Sequence, residues 1–143
     1  MYSARIRNGA AWNSFFDIGW LVSKEEYLHM ESLYIDLLLE LTREMGIKFL
    51  TIKELENYDA FALREGQSVD LERLSFATQA ILRDKCWCKL VNDSLEIHFG
   101  YDYIMYVVVK KTNTNIKPIL NRYGEMLVID EIVSPYLSNS QMR

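Results

Sequence analysis

Two histidines, two cysteines and scattered carboxylates are the side chains with which this chain of 143 residues could do chemistry. His29 lies close in sequence to Ser32 and Asp36, which invites a reading as base, nucleophile and orienting acid. All three fall within one stretch that reads as helix, and a straight helix gives a serine neither a strained turn nor oxyanion donors. They therefore read as a solvated helix face. The second histidine sits in Glu96-Ile97-His98, where the strand period of two puts Glu96 and His98 on one face. A metal there would need further ligands, with Asp102 the nearest volunteer. A hydrogen-bonded structural histidine is the simpler reading. Cys86-Trp87-Cys88 aims both thiols at one strand face, and its spacing is not that of redox or zinc pairs. The cysteines read as small core residues flanking a tryptophan. Neighbouring carboxylates, Glu25-Glu26 and Asp130-Glu131, diverge on a helix or strand and make no acid-base dyad. There is no Gly-rich phosphate loop and no dinucleotide fingerprint. These residues predict no enzyme, no cofactor and no metal site.

Two other features point to binding. Residues 54–72 hold one basic side chain, Arg64, against Glu54, Glu56, Asp59, Glu65, Asp70 and Glu72, and this stretch accounts for the formal charge of -4. Such a segment steers a basic partner, or is simply a solvated surface. Nucleic acid needs a clustered basic patch instead, and Lys110, Lys111 and Lys117 are too sparse for one. The run Phe99-Gly100-Tyr101-Asp102-Tyr103-Ile104-Met105-Tyr106 concentrates aromatics around a turn. Most of them should cover the core, leaving Tyr101 and Asp102 exposed in the turn as contact residues. Glu54, Glu56, Asp59 and Glu65 are the steering charges, and Tyr101 and Asp102 the anchors.

The elements that must position these residues follow from local pattern. Residues 1–22 read as extended, with Asn8-Gly9 as a hairpin turn and Phe15 to Val22 as a strand. Ser23 and Glu26 form a capping box that opens a core helix over 23–45, closed by Gly46. Its apolar residues, Leu28, Ile35 and Leu39 included, spread over more than half its circumference, so the helix should be covered on several sides. Ile47 to Ile52 alternates as a strand, and Asn57 could cap a short helix through Arg64. A second helix starts at Ser68 or Asp70, with a stripe of Leu71, Leu74, Thr78, Ile81 and Leu82 and with Phe76 off the stripe. Residues 86–132 are strand-rich: Cys86 to Val91, Leu95 to Phe99, Tyr103 to Val109 and Met126 to Ile132, with a short helix from Ile116 to Tyr123. The sum is one α+β domain over 1–143, two main helices on a largely antiparallel sheet.

Half the residues are hydrophobic and a quarter charged, which excludes a disordered chain or a disulfide scaffold. No apolar run reaches the roughly 20 residues of a membrane helix, and Asn13, Ser14 and Asp17 interrupt any leader-like segment. With only two cysteines, the reducing cytoplasm is the expected compartment.

Three stretches, Leu82 to Leu90, His98 to Tyr106 and Val128 to Tyr136, resemble the C-terminal part of small bacterial immunity proteins, which are encoded beside polymorphic or contact-dependent toxins. The resemblance covers roughly the last sixty residues and is one of hydrophobic and aromatic spacing. It implies a cytoplasmic, non-enzymatic inhibitor of one toxin domain, acting on the toxin's active site or an exosite. No fixed toxin-contact positions carry over from such a varied group. A basic nuclease domain would suit the acidic segment. The alternatives are a small regulatory or adaptor domain that pairs through a sheet edge, and a small metal enzyme built on His98 and Asp102.

Overall fold

The computed structural model describes residues 1–57, 63–110 and 115–137. Ser23 Oγ accepts the Glu26 amide at 3.1 Å and so opens α1, Lys24–Glu44. Gly46, at φ 68°, closes it, with the amides of Gly46 and Ile47 returning to the carbonyls of Arg43 and Thr42. The Asp70 carboxylate caps α2, Leu71–Leu82, through the Arg73 amide at 3.0 Å. Pro118 sits in the first turn of a third helix, α3, Lys117–Tyr123, where its missing N–H costs nothing.

The strands are β1 (Tyr2–Arg7), β2 (Phe49–Asn57), β3 (Ser68–Asp70), β4 (Cys86–Val91), β5 (Leu95–Phe99), β6 (Met105–Val109) and β7 (Val128–Glu131). They form a seven-stranded sheet in the order β3-β2-β4-β5-β6-β1-β7, every neighbouring pair antiparallel. The α+β class is as expected, and among the described residues the short helix expected near Ile116 to Tyr123 stands as α3 beside the two longer ones. Alternation splits the sheet into two faces. Ala4, Ile6, Leu50, Ile52, Cys86, Cys88, Leu90, Leu95, Ile97, Phe99, Met105, Val107 and Val109 belong to the core shared with α1 and α2. The other face carries Ser3, Trp87, Lys89, Glu96, His98, Tyr106 and Val108, and residues 132–137 cross it as a strap. Both faces of β5 and β6 are therefore buried.

Three expectations need correction, and one open choice is decided. Residues 8–22 form no hairpin and no strand: β1 pairs with β6 and β7 instead. Short polar side chains win over strand propensity here. Ser14 Oγ takes the Phe16 amide, Asp17 Oδ2 takes the Asn13 amide, and Phe15–Asp17 coils into a 3-10 turn. The buried arc of α1 is narrower than expected, being Tyr27, Glu31, Leu33, Tyr34, Leu37, Leu38, Leu41 and Thr42. Leu28 is exposed, and Ile35 and Leu39 are half-buried. Asn57 ends β2 rather than capping a helix, Glu65-Gly66 is a turn, and positions 58–62 of that expected helix lie outside the described residues. Ser68 belongs to β3, so the cap of α2 is Asp70.

One buried ionic cluster joins α1 to α2. Glu31, almost fully buried, accepts from Tyr27 Oη at 2.6 Å, Gln79 Nε2 at 3.0 Å, and Arg83 Nε and Nη2 at 2.9 Å each. Burial alone would raise the Glu31 carboxyl, and these hydrogen bonds outweigh it, leaving the group below its ordinary value. The Arg83 guanidinium also lies 5.0 Å from the Phe15 ring centroid, which ties the 3-10 turn to the same cluster. An Arg122–Glu40 pair holds α3 to α1.

Candidate functional site: an acidic aromatic cleft

At the end of the sheet where β4 begins and β5 ends, a cleft of about 400 Å³ opens between the C-terminus of α2, the 100–104 turn and residues 13–14. Trp87, Tyr101 and Tyr136 supply accessible rings, Phe99 and Tyr103 line it from the core, and Glu56, Asp84 and Asp102 supply exposed carboxylates. Among the described residues lining it there is no Lys, Arg or His.

Each wall is held by identifiable bonds. The Trp87 indole N–H donates to the Phe99 carbonyl at 2.7 Å, and the ring packs 5.7 Å from that of Tyr136. Asn13 Nδ2 donates to Asp102 Oδ1 at 3.2 Å, joining the N-terminal loop to the turn. The turn closes through the Gly100 amide on the Ile104 carbonyl at 2.7 Å. A Cβ on Gly100 would lie 3.3 Å from the Tyr106 ring, which would have to give way by a few tenths of an ångström to admit one. Asp102 and Tyr103 both take left-handed backbone, at φ 64° and 60°. That is a costly conformation for a bulky residue such as tyrosine. Tyr103 is fixed in it from behind. Its carbonyl accepts from Tyr34 Oη at 2.7 Å, its hydroxyl donates to Tyr27 Oη at 3.1 Å, and its ring sits 4.9 Å from Trp12 and 5.0 Å from Tyr34. The strained turn is thus imposed by an aromatic cluster under α1, and it thrusts Tyr101 outward to 87% exposure.

Asp84, immediately after α2, is a third left-handed residue, at φ 59°. Its carboxyl is pushed above the ordinary range by desolvation, and among the described residues it has neither a hydrogen bond nor an ion pair. Cys86 also borders the cleft, with its thiol raised to about 11 by burial, and burial raises Cys88 further still. Neither is a nucleophile at neutral pH.

Of the residues singled out from sequence, Glu56, Tyr101 and Asp102 meet on this cleft. Glu54, in left-handed backbone at the β2 bulge, turns to the Lys89 ammonium at 2.5 Å. Glu65 accepts the amides of Glu54 and Leu55 at 3.2 and 2.8 Å, which holds the bulge. Asp59 lies outside the described residues. Asp84, Trp87 and Tyr136 were not expected here. Trp87 was legible only as the residue between two inward thiols, whose own side chain must face the other way.

His98 belongs to a separate arrangement on the strap side. Its Nδ1 lies 2.7 Å from Ser134 Oγ and its Nε2 lies 2.8 Å from Glu96 Oε1, while Glu96 Oε2 meets the Lys110 ammonium at 2.5 Å. The order acid, imidazole, hydroxyl is that of a hydrolase triad. Ser134 is fully buried, however, and its Oγ also accepts the Tyr136 amide at 3.2 Å, so no substrate reaches it. This relay pins the strap, helped by the Ser134 amide on Ser3 Oγ and Lys89 Nζ on the Tyr136 carbonyl. Asp102 is not one of its members. Among the described residues no group of three His, Cys, Asp or Glu side chains is placed to hold a metal ion, and no helix is long and apolar enough to cross a membrane.

Comparison with family models, with characterised proteins and with solved structures finds no match. The cleft therefore carries the functional argument.

Proposed function

We propose that this chain is a non-enzymatic immunity-type protein that neutralises a cognate bacterial toxin domain by binding it with the face around the cleft. The observation that carries this reading is the union of three exposed carboxylates with the accessible rings of Trp87, Tyr101 and Tyr136 on a cleft that has no basic lining residue among the described residues. Two further large rings are exposed on the N-terminal loop that Asn13 ties to the turn, Trp20 at 77% and Phe16 at 72%. Exposed tryptophan and tyrosine beside carboxylates make a typical anchor for a protein partner. The charge complements a basic domain such as a nuclease and raises the rate of encounter.

The test is recovery of partners from the native cell lysate with the tagged chain, read by mass spectrometry, followed by co-expression. A single near-stoichiometric partner that kills a host alone and spares it with this chain is the expected result. Recovery of several housekeeping proteins and no toxic partner would refute toxin neutralisation and favour an adaptor role.

A further inference from the structure

The cleft's chemistry names the group that fills it. An apolar guest would strand Asp84 and Asp102 without water, and an anion would face three carboxylates with no cation among the described lining residues to receive it. The guest must be cationic. The indole N–H of Trp87 is already committed to the Phe99 carbonyl, so what Trp87 has left for a guest is its ring and no donor. A ring face beside a carboxylate with no internal partner favours guanidinium over ammonium, because guanidinium is planar, weakly hydrated and forked. The cavity of about 400 Å³ is near the low end of small-ligand pockets, which suits one long side chain rather than a folded element. Asp84 is exposed just past the end of α2, and among the described residues its carboxylate has no hydrogen bond or ion pair, so an arriving cation displaces no resident partner.

We infer that the cleft receives an arginine side chain of the partner protein, the guanidinium lying between Trp87 and Tyr101 and hydrogen-bonded to Asp84 and Asp102. This rests on the protein-binding reading above and makes the arginine its anchor. The test titrates the full chain with N-acetyl-arginine methylamide and, separately, with the citrulline analogue, which keeps the shape and loses the charge, following amide and indole NMR signals. Saturable binding should move Asp84, Trp87 and Asp102 together, with citrulline about tenfold weaker. Asp84→Asn should weaken the arginine probe by about tenfold with the thermal midpoint unchanged, since asparagine accepts left-handed backbone as aspartate does. Equal binding of citrulline, shifts confined to other surfaces, or tighter binding of tetramethylammonium than of arginine would each overturn the assignment. The probe works without any partner. Its failure therefore condemns the anchor alone, whereas absent rescue in co-expression condemns toxin neutralisation and leaves the guanidinium preference standing.

Discussion

Arg83→Met should be among the most damaging single changes that leave the core apolar. The variant keeps an unbranched apolar stem and deletes the guanidinium, so Glu31 loses two of the four hydrogen bonds it accepts and keeps Tyr27 and Gln79. Breaking a buried pair costs about 3–5 kcal/mol because the remaining charge stays desolvated. The Arg83 side chain is 23% exposed against 4% for Glu31, which puts the loss near the low end, about 3 kcal/mol. The contact with Phe15 adds about 0.5 kcal/mol. For a chain of this size that lowers the thermal midpoint by roughly 10 °C. The assay is thermal and urea unfolding of wild type, Arg83→Met, Glu31→Gln and the double variant. The double variant should recover most of the loss, since both charges are then gone. The pH dependence should reverse as well. In wild type the Glu31 carboxyl is held low, so its contribution is present above the unfolded value and is lost as pH falls through the folded one. In Arg83→Met, burial dominates and lifts the carboxyl above its unfolded value, so stability rises on acidification from neutral pH. A midpoint shift under about 3 °C, or a double variant no better than the single, would refute the account of this cluster.

Other outcomes follow from the strap and the thiols. Glu96 is held at about 2 because bonds from His98 and Lys110 outweigh its burial, so its contribution is complete above 4.5 and fades as pH falls toward 2. Glu96→Gln should flatten that acid limb in a melting series. Ser134→Ala leaves a His98 nitrogen and the Tyr136 amide without their partner and should cost about 1–3 kcal/mol, with faster hydrogen exchange confined to the strap. Cys86 and Cys88 should react with a thiol reagent at neutral pH only on unfolding; rapid native labelling would contradict the burial that raises both thiols.

What could be read from sequence was whatever neighbouring residues decide. Ser23, Glu26 and Gly46 mark α1 at both ends, and the breaks at Asn92-Asp93-Ser94 and Gly100 separate β4, β5 and β6. Phe15 to Val22 misled because strand propensity was weighed without the side-chain bonds of Ser14 and Asp17. Glu96 and His98 were placed on one face correctly, but Ser134 reaches His98 from 36 positions away, and no periodicity reports that. The cleft was half visible. Tyr101 and Asp102 announce a turn, whereas Asp84 enters only because α2 ends beside that turn, a fact of packing and not of pattern.

The place of β1 between β6 and β7 bears on how the chain reaches this state. Tyr2 pairs with Val109 and Ala4 with Glu131, so the slot that β1 fills does not exist until both later strands are in position. No local zippering can complete the sheet, and closing loops of about a hundred residues is entropically slow. Refolding should therefore run in milliseconds to seconds, with the β4-β5-β6 meander protected early and the amides of β1 protected last in pulse-labelled exchange. Until that docking, the facing edges of β6 and β7 stand open, and it is in this interval that the protein is most exposed to strand exchange with another copy of itself.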